Sequence, residues 1–229
     1  MVFKLKNKQS SQEKVRKKLL RKFLHYFPGG FGGKKYQSWE RDYKWNAHLL
    51  WKKHLNKQAF IKLLEQKNYT EITRLAVWME SKTNLLFSFE KMALRDGVKD
   101  PASAKLFAEG LFAYIYGKKE LRKRFEDFSD MLATLPFKQT RVLTWPVTTV
   151  FGFIADPEIH IYLKPTVTKV AAKKYQFDLQ YSSKITWDTY ESVLAFARQV
   201  ETDTSHLHPK DMIDLQSFIW VLGSEEYPD

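Results

Sequence analysis

Val15, Leu19, Phe23 and Phe27 recur at four-residue spacing, with Leu20 and Leu24 beside them and Lys or Arg around them. One apolar stripe at helical period predicts an amphipathic helix over residues 4–27. The segment PGGFGGKK, residues 28–35, then ends it. A proline and four glycines predict a turn or hinge. Residues 1–35 therefore read as a basic helical arm, and residues 36–229 as the globular part.

The same period continues downstream. Tyr36, Trp39, Tyr43, Ala47 and Leu50 fall on one helical face, with Glu40 and Lys44 spaced to pair along the surface. That makes ERDYKWNAH, residues 40–48, a packed helix with an exposed charged side, where Arg41, Lys44 and His48 would extend a binding face. Apolar positions mark further helices at about 57–67, from about 70 to Met79, and from Leu85 to about Arg95. Asp100-Pro101 supplies a cap and a first-turn proline for a helix running to Gly117. Others follow from Leu121 to Leu132, from about Val142 to Phe153, over Thr166–Tyr175, over 186–200 and from Pro209 onward. IHIYL, residues 159–163, reads as a short strand or an extended link. The fold class is all-α: a single globular multi-helix domain of about ten helices and at most two short strands, with the basic arm. No repeat at a fixed period is visible.

Composition sharpens this picture. Hydrophobic residues are 44% and aromatics 15% of the 229, enough for a substantial core. There is no cysteine, which excludes disulfide-linked partners and thiolate-ligated metals and suits a cytoplasmic location. No apolar run approaches the ~20 residues that span a bilayer. The net charge of +12 is concentrated: residues 1–35 hold eleven Lys/Arg and one acid, Glu13. The remaining 27 basic and 25 acidic residues nearly cancel, so the argument for an acidic partner rests on the arm alone.

Three stretches carry candidate chemistry. The glycine loop with Lys34 and Lys35 could approach a phosphate. It departs from the P-loop pattern, with Pro28 at the first glycine position and Lys35 in place of Ser or Thr. ETDTSHLHPKDMID, residues 201–214, gathers His206, His208, Asp211 and Asp214. Imidazole nitrogens beside carboxylates are the donors a divalent metal takes, so His206, His208 and Asp211 form a candidate metal set and a divalent metal the candidate cofactor. Local capping is the competing explanation for the aspartates. In the middle of the chain, Glu80, Asn84, Glu90, Lys91, Arg95 and Asp96 interrupt apolar helices. A carboxylate there is either salt-bridged or functional, and a structural pair with Lys91, Arg95 or the Arg41 region is the reading preferred. No G-x-S-x-G and no G-x-G-x-x-G occurs.

Residues 135–175 resemble the helix-hairpin-helix DNA glycosylases. Leu135-Pro136 stands where that family has its Leu-Pro turn. An apolar helix follows, and LKPTVTKVAAKKY, residues 163–175, runs in step with the family's V-D-T-H-V-x-R-V-A-x-R-L. Two departures stand out: FKQT replaces the glycine-rich hairpin, and Lys164 occupies the place of the catalytic aspartate. The resemblance implies Lys138 and Arg141 on a DNA backbone and Lys164 as an amine nucleophile.

The reading preferred from these observations is a nucleic-acid-associated helical protein. Lys14, Arg16, Lys17, Lys18, Arg21, Lys22, Lys34 and Lys35 would contact phosphates. The alternatives are a nucleic-acid-processing enzyme, either glycosylase-like with Lys164 as catalytic residue or a metal-dependent hydrolase using His206, His208, Asp211 and a catalytic Asp214, and a membrane-surface or partner module. The last would set Leu19, Leu20, Phe23, Leu24 and Phe27 at an acyl boundary.

Overall fold

The computed structural model describes residues 2–229, with side chains from Gln12 onward. The side chains of Lys4, Lys6 and Lys8, part of the expected basic arm, lie outside the described residues. The chain is all-α. Its helices are α1 (Val2–Tyr26), a 3-10 turn (Gly30–Gly32), α2 (Lys34–Tyr36), a π-turn (Gln37–Arg41), α3 (Asp42–His54), α4 (Lys57–Glu65), α5 (Tyr69–Ser81) and α6 (Ser88–Gly97). There follow α7 (Pro101–Tyr116), α8 (Leu121–Thr134), α9 (Trp145–Ala155), α10 (Pro165–Tyr175), α11 (Trp187–Thr204), a second 3-10 turn (Ser205–Leu207) and α12 (Met212–Gly223). Among the described residues there is no strand; residues 160–164 form no regular element, and Leu163 N–H donates to Thr149 Oγ1 at 3.0 Å.

Caps explain many boundaries. Asp100 accepts from the backbone N–H groups of Ala102 and Ser103, with Pro101 in the first turn of α7. Asn56, Asn68 and Thr144 cap α4, α5 and α9 in the same way. Asn68 is the cap of α5, two residues earlier than Thr70 would have been.

The chain divides into two compact units. One comprises residues 1–42, 164–181 and 188–229; the other comprises 43–163 and 182–187. α1, the glycines at 29–33, α10 and α12 belong to the first unit.

In the first unit, Phe23, Phe27, Phe31, Tyr36 and Phe218 form an aromatic cluster. Phe23 has its ring centroid 4.9 Å from Phe31 and 5.0 Å from Phe218, and Phe31 lies 5.3 Å from Tyr36. All five are buried, so the apolar stripe of α1 is spent inside its own unit. The glycine segment is a packed corner. Gly30 adopts φ +57°, and a Cβ on Gly29 would sit 2.8 Å from Gly33 Cα, an approach only glycine permits. The expected hinge is a tight turn because Phe31 between the glycines anchors it in the core. α10 and α12 approach closely at Gly223, where a Cβ would meet the Val167 carbonyl oxygen at 2.1 Å.

The second unit is built around α9, WPVTTVFGFIA, whose residues from Trp145 to Ile154 are all buried. α5, α6, α7 and α8 pack against it. His160 is enclosed here, its Nδ1 3.1 Å from Tyr114 Oη. Burial, and secondarily Arg124, holds its ring down to about 3, so it is neutral in the core.

Candidate nucleic-acid interface

The π-turn changes the surface that the sequence pattern foretold. Asp42 N–H donates to Gln37 O, one residue beyond the α-helical partner. That extra residue rotates the following side chains by about a third of a turn relative to an unbroken helix. Trp39, expected on the buried stripe, is 57% exposed, while Glu40 and Arg41 are each 4% exposed. Lys44 and His48 are buried as well, leaving Asp42 as the exposed charge of ERDYKWNAH. His48 Nδ1 lies 2.9 Å from the Ile154 carbonyl oxygen. Arg41, Lys44 and His48 therefore do not extend a binding face.

Arg41 instead closes a buried network. Its Nη1 donates to Asp211 Oδ1 (2.9 Å) and Asp214 Oδ1 (2.6 Å), and its Nη2 donates to Asp211 Oδ2 (2.6 Å). Tyr36 Oη donates to Asp214 Oδ1 at 2.7 Å, and the Lys210 N–H donates to Asp214 Oδ2 at 2.8 Å. Burial, then the neighbouring Asp214 charge, pushes the Tyr36 hydroxyl well above its usual range, so it stays a proton donor. Asp211 also caps α12, accepting from Ile213 N–H at 2.9 Å. On the adjoining turn, Tyr227 Oη donates to the buried carboxylate of Glu40.

This network bears on two sequence expectations. Asp214 is fully enclosed and its oxygens are occupied by Arg41, Tyr36 and Lys210. These bonds anchor the start of α12. Asp211 is bidentate to Arg41 and is turned from any ligand set with His206 and His208. Among the described residues no three His, Asp or Glu groups converge to hold a metal. Lys164 is the buried residue preceding Pro165 at the start of α10, with its carbonyl accepting from Thr168 N–H at 2.9 Å. It lines none of the cavities at the glycine corner, beside Arg16 or along α6.

The remaining candidates stay at the surface. On α1, Lys14, Lys17, Lys18 and Arg21 are exposed. Lys17 pairs with Glu13 at 2.6 Å, both side chains in solvent. Arg16 and Lys22 are half-buried and committed to carboxylates, Arg16 to Asp203 at 3.2 Å and Lys22 to Asp229 at 2.6 Å. They tie α1 to its unit and are removed from the phosphate-contact set. Lys34 and Lys35 are exposed after the glycine corner, and Lys35 Nζ lies 4.5 Å from the Trp39 ring centroid.

The glycine corner and the 206–210 segment, two motifs far apart in sequence, meet here. An open cavity of about 450 Å³ is lined by Gly29, Gly30 and Gly32 on one side and His206, His208 and Lys210 on the other. His206 also borders a second cavity of about 210 Å³ with Arg16, Lys17 and Tyr175. The imidazoles thus line the flank of α1, beside its lysines. Nothing in the local sequence signalled this, because the juxtaposition is made by tertiary packing: a Cβ at Gly30 would lie 3.5 Å from the Leu207 side chain.

The acidic and amide stretch of the second unit resolves as a loop clasp. Lys91 Nζ lies 3.6 Å from Glu80 Oε1 and donates to Thr83 O at 3.1 Å. Glu90 accepts from Phe87 N–H at 2.8 Å, and Tyr162 Oη donates to Leu85 O. Asn84 is exposed. Burial pushes the Glu80 carboxyl up to about 7 against the pull of Lys91. The folded chain then retains a proton that the unfolded chain releases near pH 4.5. Stability should fall by up to about 3 kcal/mol as pH rises from the unfolded to the folded value, then level off. Urea midpoints near pH 5 and pH 8 would read this; Glu80→Gln should abolish that part of the slope, and an unchanged slope refutes it.

Comparison with protein-family models, curated proteins and solved structures gave no match to this chain. No helix among the described residues is long and apolar enough to cross a membrane.

Proposed function

We propose that this chain binds nucleic acid without sequence preference, through the cationic face of α1 and the adjoining glycine corner. One observation carries the reading: α1 buries Leu19, Phe23 and Phe27 in its own unit while Lys14, Lys17, Lys18 and Arg21 remain exposed. A helix lying in a bilayer interface needs its apolar face free for the acyl boundary, and this one has spent it. What it offers outward is charge at helical spacing, which suits a phosphate backbone. Lys34, Lys35, Lys210, His206 and His208 extend the same face. The reading also keeps the chain in the cytoplasm, where nucleic acid is accessible.

The test is fluorescence anisotropy of the full chain with labelled duplex and single-stranded oligonucleotides across a salt series. Affinity should fall steeply and linearly on a log–log plot of binding constant against salt. Flat salt dependence, or no binding at low salt, rejects the proposal.

A further inference from the structure

Phe87, Phe89, Met92 and Phe137 are 55%, 50%, 59% and 50% exposed, in a chain that buries most of its other large aromatics. Single exposed apolar residues need no explanation, but a group of this size on one unit does. The Phe87 and Phe89 rings stack on each other, centroids 5.6 Å apart at 29°. Phe89 and Met92 of α6 form one wall of an open cleft of about 270 Å³, and Lys138, Gln139 and Thr140 line the other. Phe137 immediately precedes that second wall, and the Arg141 guanidinium lies 5.4 Å from its ring centroid. Arg95, one turn along α6 from Met92, is exposed too. Asp96, the acid lining the cleft, sits 3.7 Å from Lys138.

The mixture decides the occupant. Phenylalanine, methionine and arginine gather in protein–protein contacts too, but lysine is depleted from their cores, and this cleft has Lys138 in its wall. Flat ring faces interleaved with cations are what unpaired bases and their phosphates require. We propose that this patch is a stacking platform for the bases of single-stranded nucleic acid, with Lys138 and Arg141 on the phosphates. The proposal rests on the nucleic-acid reading above and names the form of strand it takes. In a duplex the ring faces are already stacked on one another, so the platform discriminates against paired DNA.

The experiment compares a labelled oligothymidylate, an oligouridylate and a duplex of the same length against the full chain and two variants. Phe87→Ala/Phe89→Ala should weaken binding to either single strand by about tenfold or more, leave the duplex nearly unaffected and preserve the salt slope. Phe137→Ala should weaken single-strand binding in the same sense. These side chains are exposed, so circular dichroism and melting should be unchanged. Suppose the double alanine variant binds single strands as the wild type does, while Lys14→Glu/Lys18→Glu/Arg21→Glu loses binding. The platform then fails and the nucleic-acid reading stands. If the wild type binds no oligonucleotide, both fall. Equal losses on single strand and duplex also overturn the platform. So does self-association that disappears in the alanine variant with oligonucleotide binding intact, which would make the patch a contact between copies.

Discussion

Arg41→Ala should destabilise the chain by about 3–5 kcal/mol, because it removes one partner of a buried ion cluster and leaves the others charged and enclosed. Three of the bonds reaching Asp211 and Asp214 come from this one guanidinium. Asp214 is fully buried and Asp211 nearly so, so water cannot replace the missing donors. At roughly 2–4 °C per kcal/mol for a chain of this size, the thermal midpoint should drop by about 10 °C. Combining Arg41→Met with Asp211→Asn and Asp214→Asn removes the unpaired charges and should restore part of the loss. Urea denaturation of the single and triple variants measures both. A single-variant cost under about 1 kcal/mol would mean that the network is solvated and the anchoring role wrong.

The second large effect concerns binding. Lys14→Glu/Lys18→Glu/Arg21→Glu should lower nucleic-acid affinity by about a hundredfold or more at moderate salt. It should also reduce the log–log salt slope by about three, near one unit for each phosphate no longer neutralised. Among the described residues none of these three forms an ion pair, so folding should be untouched; the melting curve controls for it. Charge reversal is the sound variant here, whereas deleting residues 1–35 is not. Deletion would strip Phe23, Phe27 and Phe31 from the core, and a failure to bind would then report unfolding. If the reversed variant binds as tightly and with the same slope, α1 is not the interface.

Much of the fold was legible in the chain itself. The apolar period marks α1, α5, α7, α8, α11 and α12 because burial of one stripe is the main force on an amphipathic helix. Asp100-Pro101 was readable because capping is a contact between near neighbours; the last helix, expected from Pro209, begins at Met212 with Asp211 as its cap. The basic face of α1 was equally readable, since charge at helical spacing needs no partner to be recognised. The 206–214 cluster was visible as a set of residue types. Its role was not, because Asp211 and Asp214 are engaged by an arginine some 170 positions away.

The chain's own pattern determined an all-α protein with a cationic first helix and the places where most helices begin and stop, all of which depend on neighbours within a turn or two. Tertiary structure alone decided that α1 is core on one side, that the π-turn sends Glu40 and Arg41 inward and Trp39 outward, and that the glycine corner meets His206 and His208. It also decided which aromatics stay in solvent: Phe87 and Phe89 match buried phenylalanines in type and spacing. The physical reason is common to all of these. Burial and pairing of a side chain depend on which distant segment arrives beside it, and local periodicity carries no information about that arrival.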